Sequence, residues 1–123
     1  MIAILDANIG NLRSVFNAVD TMGYDAEIVT HVELSDKHSH LIIPGVGSFQ
    51  RVMCDEKMLA LKEKINNFAN IDRPILGICL GMQMLLSKSM EHGQHEGLGL
   101  IPGLVLPIPT GIELTGAKVR KVP

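Results

Sequence analysis

The sequence predicts one α/β domain built on a largely parallel sheet with helices on both faces. Two observations carry this expectation. Short, continuous apolar runs alternate with longer segments whose apolar residues recur at helical spacing. The apolar runs read as strands buried on both faces, which is how parallel strands flanked by helices look in sequence. No internal repeat, low-complexity tract or linker interrupts the 123 residues, so residues 1–123 read as a single domain.

The elements follow in order. "MIAIL" (1–5) is a buried strand, and "DANIGN" (6–11) is rich in turn and helix-start residues. Leu12, Val15, Phe16, Val19 and Met22 then fall on one helical face, and Gly23 supplies a stop. "AEIVT" (26–30) is a second strand and the polar "HVELSDKHSH" (31–40) a connection. "LIIPGVGSF" (41–49) opens as a buried strand and breaks at Pro44-Gly45.

The spacing predicts a second helix from Asp55 to Ala69, with Met58, Leu61, Ile65 and Phe68 on its inner face. Asp55 and Glu56 suit its first turn, where carboxylates meet the helix dipole. Pro74 begins the strand "PILGI", and "LGMQMLLSKSM" (80–90) reads as a helix. "EHGQHEGLGL" (91–100) is a Gly-rich loop, with "GLVLPI" and "AKVRKV" as short strands beyond it.

Composition narrows the function classes. With 46% hydrophobic and 20% charged residues the chain is an ordinary globular protein, and 3% aromatics means an aliphatic core with Met filling gaps. The net charge is −2 and no stretch gathers Lys or Arg, so there is no electrostatic case for nucleic acid or an anionic membrane. No apolar run approaches the ~20 residues of a bilayer span, and no basic n-region precedes an h-region. The expected compartment is the cytoplasm. Cys54 and Cys79 lack framework spacing and read as free thiols in a reducing environment.

Chemistry points to "ILGICLGMQML" (75–85). A cysteine among glycines and oily residues can simply pack, since free Cys is among the most buried residue types. Its place decides otherwise: Cys79 falls at the C-terminal end of a predicted parallel strand, where open α/β sheets carry their functional residues. Gly77, Cys79 and Gly81 form G-x-C-x-G, the cysteine form of a nucleophile elbow, with glycines that let neighbouring backbone approach. A thiol at a helix start is expected to favour the thiolate, and the Leu80 N–H is expected to face an oxyanion. "PGVG" (44–47) closes another strand and offers further backbone N–H groups, or is an ordinary tight turn.

At these residues the chain resembles a known family. "GICLGMQ" (77–83) is similar to the nucleophile motif of class I glutamine amidotransferases, and "LIIPGVGSF" resembles their oxyanion strand. "IGNLRSV" (9–15), "GLGLIPG" (97–103) and "KVRKVP" (118–123) resemble the glutaminase subunits of imidazole glycerol phosphate synthase and close relatives. The resemblance implies a flavodoxin-like fold and a reaction without metal or cofactor. Cys79 would attack the side-chain amide of glutamine, release ammonia and form a glutamyl thioester that water hydrolyses.

By the same resemblance, the N–H groups of Leu80 and of Val46–Gly47 would hold the oxyanion. Gln83, Gly45 and Gly47 would hold the substrate. Ammonia would pass to a synthase (cyclase) partner of the (β/α)8-barrel type for histidine biosynthesis, with Asn11 towards that partner. Some relatives are thought to supply sugar-amidating enzymes of surface polysaccharide synthesis instead.

The chain also departs from the family. Its members pair the cysteine with His and Glu in an H-x-E motif beyond it, whereas His31, His38, His40, His92 and His95 all precede residue 96, and neither His92 nor His95, the two that follow Cys79, is followed by x-Glu. Ala7 and Asn8 stand where relatives carry an aromatic and a glycine. "HSH" (38–40) lacks further ligands and reads as a solvated loop rather than a metal site. The expectation is therefore the N-terminal portion of such a domain, incomplete, of impaired activity, and self-associating through an uncovered sheet edge. Its rivals are a non-catalytic binding protein or remnant of the same fold, and a hydrolase or redox sensor using the same elbow.

Overall fold

The computed structural model describes residues 1–7 and 10–109, together with the backbone of 113–114 and 117–118. The main sheet contains β1 (Ile2–Leu5), β2 (Ala26–Val29), β3 (His40–Gly45) and β4 (Ile75–Cys79), interleaved with α1 (Leu12–Thr21), α2 (Phe49–Met53) and α3 (Met58–Asn70). All its strands are parallel, in the order β2-β1-β3-β4. This is the flavodoxin-like order, and the winding reverses between β1 and β3, where such sheets open a crevice at their C-terminal ends.

Register decides which side chains share a face, because partners across a parallel ladder point the same way. Ala3, Leu5, Val29, Leu41 and Ile43 lie on one face and are buried with Phe49 and Val52 of α2 and Met58, Leu61, Ile65 and Phe68 of α3. The aliphatic core expected from the composition is this layer. On the other face, α1 packs on β1 and β2, and Ile4 and Val19 are buried there. The rest of this face is less covered: Ile42 is half-buried, and its neighbours on β4, Leu76 and Ile78, are 56% and 41% exposed.

Helix ends follow local chemistry. Asn11 caps α1, its Oδ1 accepting the Ser14 N–H at 3.3 Å, and Gly23 ends the turn after it at φ 86°. The inner face expected for the second long helix is the buried face of α3. Its start differs, because Asp55 forms a turn of its own: its side chain accepts the Lys57 N–H and its carbonyl the Met58 N–H, both at 2.9 Å. Asp55 and Glu56 therefore precede α3. The separate short α2 was not expected.

β3 also runs on through Pro44 instead of breaking there. Pro44 pairs with Ile78, while pairing to β1 ends at Ile42. The Pro44 carbonyl faces Gly10, so the missing N–H falls on the side where no strand remains to be paired.

After β4 the chain departs most from expectation. The helix predicted over 80–90 is only α4 (Leu80–Met84), followed by β5 (Leu86–Ser89). β5 pairs antiparallel with β6 (His95–Glu96) and parallel with β7 (Ile101–Val105). The cause is non-local. The carbonyls of Met84, Leu85, Leu86 and Ser87, which a longer helix would need, accept N–H groups of Leu98, Ile101, Gly99 and Gly97 at 2.8–3.1 Å. Only glycine fits at 97, where a Cβ would lie 2.1 Å from the Leu86 oxygen. β8 (Glu113–Leu114) and β9 (Ala117–Lys118) pair antiparallel, and the rest of "AKVRKV" lies outside the described residues. No helix among the described residues is long and apolar enough to cross a membrane.

Candidate active site

The glycine pattern around Cys79 has the close approaches it was expected to serve. A Cβ on Gly77 would stand 2.6 Å from the Met82 Cα, and one on Gly81 would stand 1.7 Å from the Ile43 carbonyl oxygen. α4 can therefore fold back tightly over the end of β4 and against β3. Cys79 sits at the crease with φ 56° and ψ −116°, a conformation non-glycine residues rarely adopt. The strain turns an exposed thiol outward at the strand's C-terminal end. α4 has only five residues, so the dipole at the thiol is that of little more than one turn.

The other residues singled out from the sequence arrange themselves about this crease. Leu80 is the first residue of α4, and its N–H is one of the first-turn donors that lack an intrahelical acceptor. Gly45 is the register partner of Cys79, so the end of β3 lies directly beside the thiol-bearing residue. Val46 and Gly47 continue from it, both exposed, with Gly47 at φ 115°. Gln83 lies on α4 one turn beyond Cys79 and is half-buried. Asn11 lies beyond the same end of the sheet: the preceding Gly10 packs on Pro44, where a Cβ would stand 3.0 Å from the carbonyl oxygen. Asn8 and Ile9 of the opening loop lie outside the described residues.

A cavity of about 550 Å³ opens at the ends of β1, β2 and β3. Val46 and Gly47 line it, together with Asp6, His31, Ser48 and Arg51, but Cys79, Leu80 and Gln83 do not. Backbone geometry makes Cys79, and not the cavity, the candidate reactive centre. Of the three non-glycine residues described with positive φ, Asp72, Cys79 and His92, none lines the cavity, and only Cys79 sits in an elbow. The cavity as a whole went unnoticed in the sequence because, beside the Val46–Ser48 segment of "LIIPGVGSF", its wall takes Asp6, His31 and Arg51 from places that carry no motif.

None of the five histidines is hydrogen-bonded to Cys79 among the described residues. His31 lines the cavity, and His40 bonds the Ser39 hydroxyl at 2.8 Å. His95 faces Cys54 at 3.9 Å, and its Nε2 lies 3.0 Å from the His92 carbonyl oxygen. His38 corrects the expectation of a solvated loop, for it is fully buried. Its Nδ1 accepts the Ser35 N–H at 3.1 Å, so Nε2 carries the ring proton and donates to Glu27 Oε1 at 2.6 Å. That hydrogen bond, with Lys37 as a second donor, holds the Glu27 carboxyl below its usual value. No three His, Cys, Asp or Glu side chains among the described residues are grouped as metal ligands would be.

Comparison with known proteins adds independent weight. The family model described as glutamine amidotransferase class-I matches residues 3–104. The chain is 43% identical over 123 residues to the imidazole glycerol phosphate synthase subunit HisH 1 of Legionella pneumophila (strain Lens), a match covering 99% of this chain and 56% of that protein. It is 46% identical over 110 residues to the HisH subunit of Sulfurimonas denitrificans, covering 89% and 53%. The chain thus spans about half the length of the curated relatives it matches. A solved glutamine amidotransferase aligns at TM-score 0.69 and 20% identity, over 85% of this chain and 55% of its own. PurLQS from Thermotoga maritima aligns at 0.57 and 21%, over 68% and 42%. At such identities the two structures attest the α/β fold alone.

Proposed function

Because this chain belongs to the class-I glutamine amidotransferase family, we propose that it carries the nucleophile of a site that hydrolyses glutamine and hands the ammonia to a synthase partner. The observation that carries the reading is the strained, exposed Cys79 in its crease of glycines. Cys79 Sγ attacks the amide carbon of glutamine, the C–N bond breaks, and ammonia leaves with the thiol proton. The N–H groups of Leu80 and of the Val46–Gly47 segment hold the oxyanion, while Gln83, Gly45 and Gly47 cradle the substrate. Water then releases glutamate from the thioester.

The likeness to HisH subunits supports histidine biosynthesis as the setting, in the cytoplasm, with a (β/α)8-barrel cyclase as the ammonia acceptor and Asn11 on the face towards it. Turnover also needs an imidazole at the thiol, and none of the five histidines is bonded there. The 123 residues alone are therefore expected to hydrolyse glutamine ~10³-fold or more slowly than a complete site.

The test is covalent labelling with a chloroketone analogue of glutamine, read by intact mass and peptide mapping. The expected result is one adduct on Cys79 that glutamine suppresses and asparagine does not. An unlabelled Cys79, or an adduct indifferent to glutamine, would overturn the proposal and favour a non-catalytic protein of the same fold.

A further inference from the structure

Cys54 follows the last residue of α2 and is exposed to solvent. It plays no part in the site around Cys79. Its Sγ lies 3.9 Å from His95 Nδ1, within reach of a sulfur donor. The other ring nitrogen, Nε2, is 3.0 Å from the His92 carbonyl oxygen, and a carbonyl can only accept. The ring proton therefore sits on Nε2, and the lone pair of Nδ1 faces the thiol. This is a nucleophile, a base, and a third group that orients the base, the arrangement by which proteins activate thiols. An open recess beside Cys54 is lined by Ser48, Gln50, Arg51 and Asp55, so a small molecule can approach and Arg51 offers its anionic groups a cation.

We propose that Cys54 and His95 form a second reactive centre, a site of thiol–disulfide exchange with small disulfides that carry carboxylates. The Cys54 proton passes from Sγ to His95 Nδ1, and the thiolate attacks one sulfur of the incoming disulfide. The disulfide's S–S bond breaks as the new one forms, and the departing thiolate takes the proton back from Nδ1. One thiol is consumed and one released, so no outside oxidant or reductant is needed.

The experiment uses the Cys79→Ser protein, in which Cys54 is the only thiol. The rate of mixed-disulfide formation with a dicarboxylated aryl disulfide is compared in the folded chain and in urea. The folded protein is expected to react at least ~10-fold faster, and His95→Gln to remove that advantage. Arg51→Gln is expected to narrow the preference for this reagent over cystamine, which is cationic. Equal rates folded and unfolded, or an unchanged rate in His95→Gln, would overturn the proposal. Should His95→Gln fail to fold, the nitrogen chemical shifts of His95 in the otherwise unaltered protein decide. Protonation at Nε2 is expected, and a ring protonated at Nδ1 would equally rule the centre out.

Discussion

Gly81 rests against the Ile43 carbonyl so closely that a Cβ on it would stand 1.7 Å from the oxygen. Neither side of this contact can yield cheaply, because both are backbone held in elements that meet at Cys79. Gly81→Ala is therefore expected to cost about 3 kcal/mol or more, read from the urea midpoint, and to abolish labelling of Cys79. Gly47 makes the contrast. No atom of the described residues lies within 4 Å of its missing Cβ, and its φ of 115° is what resists a side chain. Gly47→Ala should cost only about 1–2 kcal/mol.

The strain at Cys79 has its own signature. A non-glycine residue at φ 56° and ψ −116° costs on the order of 1–3 kcal/mol, part of which glycine would recover. Cys79→Gly is expected to raise stability by about 1 kcal/mol while removing all labelling by the glutamine analogue. A destabilised variant would mean that the elbow is held by contacts of the thiol and not in spite of its backbone.

Glu27 sets an acid limb. Its folded pKa lies below the unfolded one, chiefly through the His38 hydrogen bond. Its contribution to stability is thus fully present above the ordinary glutamate value and lost as pH falls through the lower folded value. Denaturation midpoints measured against pH should fall across that window in the natural sequence and fall less in Glu27→Gln.

Leu76 and Ile78 lie exposed on β4, which among the described residues pairs only with β3. An apolar face on an edge strand invites pairing or stacking with another copy. Solution scattering is expected to give a mass above 13.4 kDa for the 123-residue chain, and Leu76→Lys with Ile78→Lys to bring it down to the monomer. A monodisperse monomer of the unaltered sequence would count against this.

Asn11 has two candidate roles that substitution can separate. Asn11→Ala removes the α1 cap and should cost about 1 kcal/mol. Asn11→Ser keeps a capping oxygen, so stability should hold. Weaker binding to a barrel-type cyclase in Asn11→Ser, measured by titration calorimetry, would then report a direct contact.

What could be read in the sequence was what local chemistry decides. The elbow was legible because its requirements fall within five residues, and Gly77 and Gly81 both face backbone where a side chain would collide. The inner face of α3 was legible because Met58, Leu61, Ile65 and Phe68 carry a helical period into a core. What escaped depends on residues far apart in the chain. His38 looked solvated because nothing nearby shows that Glu27 waits eleven positions earlier and that Arg73 bonds its carbonyl from thirty-five positions later. The Cys54–His95 pair spans forty-one positions. Pro44 looked like a break because the sequence does not say that β1 has already ended beside it.

The amides of residues 97–101 that seize the carbonyls of residues 84–87 also bear on how the molecule is made. Until that later segment arrives, nothing opposes the local preference of residues 80–90 for helix. A chain leaving the ribosome, or diluted from urea, should pass through a stage richer in helix than the finished fold, and then surrender part of it to β5. Stopped-flow circular dichroism should record this as an early overshoot followed by decay. The decay should slow in any variant that delays docking of the glycine-rich segment, with Gly97→Ala the most direct choice.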